Sequence, residues 1–238
     1  MGWGYSSYKK QPSVAEQRRK AEKLLVKMRK KDSDIQPVVV EGNKIAKTWW
    51  GDAWCKNLER YADYANRIGR GRSYVRNGLV LDLRISEGRI DAQVSGSSLY
   101  TIAIRIDKLP EKQWKKIAEQ CAQRIDSMAA LVEGKFPQEL QEIFMKQGEG
   151  LFPSPKEIHM SCSCPDWATM CKHVAAALYG VGARLDAAPL LFFTLRGIDP
   201  AALIRKSVDE KMKTLLANAQ KKSKRVIDEK DVGRIFGV

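Results

Sequence analysis

The chain has 238 residues, 44% of them apolar, which is enough for one large cored domain or two small ones. Its formal net charge of +14 suits a phosphate-rich partner. No apolar run approaches the roughly twenty residues of a membrane helix, and the start lacks the apolar stretch of a signal peptide. The expectation is a soluble, cytoplasmic protein with reduced thiols and no membrane partner.

The charge is uneven. Residues 1–47 hold 12 Lys and Arg against five Asp and Glu, and residues 201–238 hold ten against five. Residues 108–157 and 158–200 are each neutral. The excess therefore lies in two terminal arms, which suits phosphate binding; solvation of polar tails is the alternative.

Residues 1–10 carry no helical or strand period. Residues 13–31 read as a helix opened by a Ser13–Glu16 capping box. Its apolar face, Leu24, Leu25 and Met28, is too thin to bury alone, and Arg18, Arg19 and Lys20 are among the basic residues crowding the rest. This helix is expected on nucleic acid or a partner, or only partly formed. Residues 32–47 read as a linker with a short extended piece at 38–40.

Residues 48–66 read as a helix, because Trp50, Trp54, Leu58 and Tyr61 recur at helical spacing. The tryptophans and the Cys55 thiol belong to its core face; stacking on bases is the alternative use of the tryptophans. Gly69 is expected to end this helix. Beyond it Arg70, Arg72, Tyr74 and Arg76 alternate, and on a strand all four share one face. Three guanidiniums and a phenol on one face would grip phosphates. A charged edge that resists aggregation is the other explanation.

Three alternating runs follow: Leu79, Leu81, Leu83 and Ile85; Ile90, Ala92 and Val94; Tyr100, Ile102, Ile104 and Ile106. They predict an antiparallel β-meander with one buried face. Pro110 opens a helical region with Trp114, Ile117, Ala118 and Cys121 on one face, closed by Gly134. Pro137 opens another, burying Leu140, Ile143 and Phe144. Helices covering a meander make an α+β body over residues 48–157.

Residues 158–160 lead as a strand into Ser161-Cys162-Ser163-Cys164-Pro165-Asp166-Trp167-Ala168-Thr169-Met170-Cys171-Lys172-His173. The pattern is C-x-C, six residues, C-x-H. On an extended chain Cys162 and Cys164 point the same way, so both can face one metal. Cys171 and His173 belong in the turn that opens an alanine-rich helix. Three thiolates and one imidazole make a closed tetrahedral zinc site of the structural kind. His159 is read as an ordinary surface residue, since four ligands suffice. Cys55 and Cys121 stand apart from the cluster as buried thiols. On this reading, loss of the metal melts the finger and spares the sheet.

The stretch resembles the SWIM zinc finger, and its surroundings look like the small stand-alone bacterial members of that family. The blocks Thr48-Trp49-Trp50-Gly51-Asp52-Ala53-Trp54 and Gly69-Arg70-Gly71-Arg72-Ser73-Tyr74-Val75-Arg76 look like that family's upstream segments, so the likeness covers roughly residues 45 to 200. The resemblance implies a small zinc-bound ββα-type finger, here within residues 158–200. It also implies a helper or subunit of a remodelling-type helicase ATPase.

After the finger helix, Asp186 to Asp199 is an apolar stretch that should pack back on the body. A helix starts at Asp199-Pro200 with Leu203, Ile204 and Val208, and Lys221, Lys222, Lys224 and Arg225 form a basic tail. No paired acid and base, phosphate loop or deaminase motif stands out, so an enzyme is not expected. The leading reading is a zinc-containing nucleic-acid-binding protein, for DNA more than RNA. Its contacts would be Arg70, Arg72, Tyr74, Arg76, Arg18, Arg19, Lys20, Lys221, Lys222, Lys224 and Arg225. The alternative is a protein-interaction adaptor whose neutral finger docks a partner.

Overall fold

The computed structural model describes residues 12–60, 65–121 and 138–219. Residues 1–11, Tyr61 and the tail with Lys221, Lys222, Lys224 and Arg225 lie outside them.

The three alternating runs form β1 (Val80–Ser86), β2 (Arg89–Ser95) and β3 (Leu99–Ile106), and β4 (Ile158–Cys162) joins as a fourth strand. The order is β1-β2-β3-β4, every pair antiparallel. Ile90 faces Ile104, Ala92 faces Ile102, and Ile102 in turn faces Cys162. These apolar residues share one buried face, as period-two patterning requires. The β1–β2 turn uses Gly88 at φ +63, a left-handed conformation that costs glycine little.

β1 is buried on both faces, not one. Its register shifts between Val80 and Asp82, so neighbouring residues serve different layers. Val80 and Leu83 enter the main core, while Leu79 and Leu81 pack on the other side against Ala21, Leu24, Leu25 and Met28. Those last four belong to α1 (Val14–Arg29), whose Ser13–Glu16 capping box forms as expected. The thin face of α1 is thus matched by a second apolar patch on β1, and the helix is seated on the body. Residues 32–47 are more than a linker. Leu83 N–H donates to Gln36 O, and Val38 N–H donates to Val80 O, closing the free edge of β1.

The 48–66 helix is shorter than its pattern. α2 spans Trp49–Glu59, capped by Thr48. Trp50 and Trp54 are core residues, 1% exposed. The Trp54 indole donates to Leu178 O at 2.7 Å. Trp50 lies among Phe144, Phe192 and Phe193 with ring centroids 6.2 Å away.

The segment after α2 is α3 (Ala65–Arg76), a helix rather than the expected strand. Gly69 does not end it; the helix runs through both Gly69 and Gly71. Its buried stripe is Ile68, Gly71 and Val75, at helical spacing. Two of its three members are small or absent as side chains, so the conspicuous alternation of arginines masked the true period.

α4 (Glu111–Cys121) and α5 (Gln138–Met145) follow β3, the latter burying Leu140 and Phe144. The central element is α6 (Lys172–Ala187). Every residue from His173 through Gly182 is buried. All-round burial explains the run of alanine and glycine, because α3, α2 and the sheet crowd it from different sides. A Cβ on Gly71 would lie 2.5 Å from the Ala175 Cβ, and one on Gly182 would lie 2.6 Å from the Cys55 sulfur. The C-terminal Asp186 carboxylate of α6 accepts from the Thr48 N–H and hydroxyl and from the Lys47 N–H, tying α2 to it.

α7 (Leu191–Leu195) returns Phe192 and Phe193 to the core, and α8 (Pro200–Ala219) follows. Val208 of α8 is 50% exposed. Residues of the 48–157 and 158–200 ranges share one apolar core. No described helix is long and apolar enough to cross a membrane.

Candidate metal centre

Cys162 ends β4, Cys164 lies two residues on, Cys171 caps α6, and His173 sits in its first turn. Their ligand atoms all lie within 4.8 Å of one another. His173 Nδ1 is 4.0 Å from Cys162 Sγ and 3.8 Å from Cys171 Sγ. A tetrahedral centre with ordinary zinc–sulfur and zinc–nitrogen bonds sets these separations at about 3.6 Å, and sulfur–sulfur separations at about 3.8 Å. The four donors are thus spaced to hold one metal ion.

Local structure holds them there. Ser163 N–H donates to Thr101 O, and the Ser163 hydroxyl accepts from Thr101 N–H at 3.0 Å, so the C-x-C segment continues the sheet's pairing. Asp166 accepts from Ala168 N–H at 3.1 Å and from Arg67 of α3 at 3.2 Å, fixing the loop between the two ligand pairs. The Cys171 sulfur accepts from Val174 N–H at 3.5 Å, at the positive end of α6, where a thiolate is favoured. Tyr100 and Tyr74 flank the His173 ring, with centroids 4.3 and 5.5 Å away.

The electrostatics fit a metal ligand set. Burial, with the nearby Lys172 charge, pushes His173 down to about 4, so its imidazole is neutral near pH 7 and one ring nitrogen has a lone pair to offer a metal. Burial pushes the Cys162 thiol up to about 12 and also raises Cys171. A thiol held as high as Cys162 stays protonated without a cation, so a bound metal must displace its proton, and the hold of that metal tightens as pH rises. His173 Nε2 is buried without a hydrogen-bond partner among the described residues and lies against Gly96, where a Cβ would be 2.8 Å from it.

His159 is on the outer face of β4, 3.0 Å from Asp107, and outside the cluster. Cys55 and Cys121 are buried elsewhere, and none of the five cysteines forms a disulfide. A Cys55→Ala, Cys121→Ala double variant is expected to keep its full metal content. Metal analysis showing less than the parent's stoichiometry would mean that the ligand set differs.

The arginine stripe does not share one face. On α3, Arg72 and Arg76 lie one turn apart on one flank; Arg70 and Tyr74 lie one turn apart on another. Tyr74 is half-buried against His173 and the α1 layer, with Lys172 Nζ 5.6 Å from its ring. Arg72 reaches Glu59 at 3.4 Å. Arg18 donates to the Asn77 side chain at 2.8 and 3.1 Å, and Lys20 donates to Gly96 O and Ser97 O. Arg19 is exposed on the outer side of α1. One residue with no role assigned from the sequence stands out. Trp167, between the ligand pairs, is 93% exposed. Its only advance signal was a large aromatic in the short loop between the two ligand pairs.

No family model matches the chain, and no solved structure matches it. It is similar to the protein of Mycobacterium tuberculosis (strain ATCC 25618 / H37Rv) described as uncharacterized protein Rv2102, at 36% identity over 156 residues. That match covers 64% of this chain and 56% of the relative, so the chain spans little more than half of that protein's length. The chain is an α+β protein whose Cys162, Cys164, Cys171 and His173 form a cluster fit for a metal ion, as in a zinc finger.

Proposed function

We propose that this is a zinc-stabilised, non-catalytic nucleic-acid-binding accessory protein of SWIM type. In this reading it acts in the cytoplasm, on DNA more than RNA, as helper or subunit of a remodelling-type helicase ATPase. Zinc suits three thiolates and an imidazole, and four protein donors leave no position for a substrate. β3, β4 and α6 would be the ββα unit around it. The helicase partnership rests on the resemblance of the Cys/His stretch and its upstream segments.

The observation that carries the nucleic-acid reading is the outer face of α1. Arg19, Lys23, Lys27 and Lys30 recur along it, all exposed, on a helix whose other face is anchored to the sheet. A ridge of cations on a fixed support keeps its spacing toward a phosphate backbone, which a loose tail cannot. Binding is expected to be insensitive to sequence, because phosphate contacts position without reading bases.

Fluorescence anisotropy with a labelled random duplex and a random single strand, across a salt series, tests this. For about four to eight phosphate contacts, log affinity should fall against log salt by about 0.9 per contact on duplex. Replacing Arg19, Lys23, Lys27 and Lys30 by alanine should flatten the slope by up to about four units. If neither strand form binds at low salt, the reading fails. The adaptor reading then replaces it, favoured by Trp167, since a rigid aromatic offered to solvent is a common anchor for a protein partner.

A further inference from the structure

A cleft of about 500 Å³ lies between α1 and α3, lined by Arg18, Arg72, Arg76, Ser73 and Asn77, with Gly42, Asn43 and Gly69 completing its wall. Its size falls in the range of ligand-binding clefts. The lining holds three arginines and no acid. Resting on the nucleic-acid reading above, we propose that this cleft is where the protein grips a phosphodiester of the backbone.

The three guanidiniums are prepared in different ways. Arg18 is held by Asn77 Oδ1, which accepts from its Nε at 3.1 Å and Nη2 at 2.8 Å. Asn77 is itself fixed, donating to Ser73 O at 2.7 Å and to the Ser73 hydroxyl at 3.2 Å. Of the five N–H groups of Arg18, three remain for a ligand. Arg72 is steadied from behind by Glu59, which also accepts from the Tyr179 hydroxyl at 2.9 Å, and its guanidinium lies 5.8 Å from the Tyr179 ring centroid. Glu59 offsets part of that one charge. Arg76 is exposed and has no hydrogen-bond or ion-pair partner among the described residues. Like charges gathered without a counter-charge in the lining repel one another, and an anion relieves that repulsion.

The wall is shaped for close approach. A Cβ at Gly42 or at Gly69 would meet nothing within 4 Å, so no side chain fills the space over either. Gly42 has φ +78, which a residue with a side chain rarely adopts. Forked guanidiniums match phosphate oxygens, and three around one opening suit a dialkyl phosphate, whose single charge and two free oxygens accept from two or three donors.

The test uses the full chain, the labelled random duplex and three single variants. Gly69→Glu places a carboxylate in the open space at an exposed helical position, where the fold gains helix propensity. It is expected to lower affinity about tenfold or more at low salt. Arg76→Ala should flatten the salt slope by about one unit. Arg105→Ala removes an equal charge from the outer face of β3 and should leave slope and affinity within error of the parent; Gly69→Gln, which fills the same space without charge, should retain most of the affinity. A parent that binds, with Gly69→Glu and Arg76→Ala binding as tightly and as steeply as it does, overturns the cleft and leaves the nucleic-acid reading standing. Arg105→Ala matching Arg76→Ala in its loss also overturns it, because charge alone then decides. A parent that binds no nucleic acid at low salt overturns both.

Discussion

Removing the metal is expected to unfold the whole described body. The Cys/His spacing read alone points to a finger that melts by itself and spares the sheet. The burial of α6 leads elsewhere. The two ligands that open this helix are followed by a stretch buried on every side, in the same core as β1–β3, α2 and α3. Losing the ligand cluster frees the N-terminal end of the helix on which those elements close. Zinc in such a site is worth about 10–16 kcal/mol in apparent terms, as much as the whole stability of a typical domain, about 5–15 kcal/mol. Cys171→Ser is the informative variant, because serine is itself a good helix N-cap. It replaces the cap and deletes only the thiolate. Chelated protein and Cys171→Ser should both lose the cooperative thermal transition by circular dichroism. In hydrogen exchange, the amides of β2 and β3 should lose protection together with those of α6. Protection kept in β2 and β3 while residues 158–187 exchange freely would show an autonomous finger.

Two glycines of one helix should respond in opposite directions. Gly69→Ala is expected to stabilise the protein by about 0.5–1 kcal/mol, since α3 continues through an exposed position with open space above it. Gly71→Ala should destabilise it by about 1–3 kcal/mol, despite the same gain in propensity. Its new methyl would lie 2.5 Å from the Ala175 Cβ and 2.9 Å from the Ala175 carbonyl carbon, and backbone on that side cannot swing away. Chemical denaturation with unchanged m-values reads both effects directly. Equal shifts in the two variants would mean that α3 and α6 do not cross as closely as the fold shows. The result bears on the metal centre too, because the same crossing brings Tyr74 to the His173 ring.

The Cys/His cluster was legible because all four residues fall within thirteen positions, where spacing alone dictates which can meet. The meander was legible because its isoleucines, leucines and valines alternate with polar residues. α3 was not, because its buried stripe contains Gly71 and Val75 beside Ile68, while Arg70, Arg72, Tyr74 and Arg76 at every second position imitated a strand. α1 looked too thin to bury, since its partner patch, Leu79 and Leu81, sits beside a register shift that no pattern announces. The cationic cleft was invisible for a different reason. Arg18 and Arg72 are far apart in the chain, and only the docking of α1 beside α3 brings them to one opening.

The place of α6 in the chain order has a consequence for synthesis. β1, β2, β3, α2 and α3 all precede it, and α6 fills the space they leave between them. During translation they emerge first, with Trp50, Trp54 and the inner face of the sheet lacking the surface that covers them. Their pairing therefore cannot settle into its final packing until the cysteines and the alanine-rich helix have left the ribosome. Nascent chains stalled before residue 172 are expected to expose that face and to aggregate or engage chaperones. The Cys/His segment and α6, followed by α7 with Phe192 and Phe193, then supply the surface on which the earlier elements close.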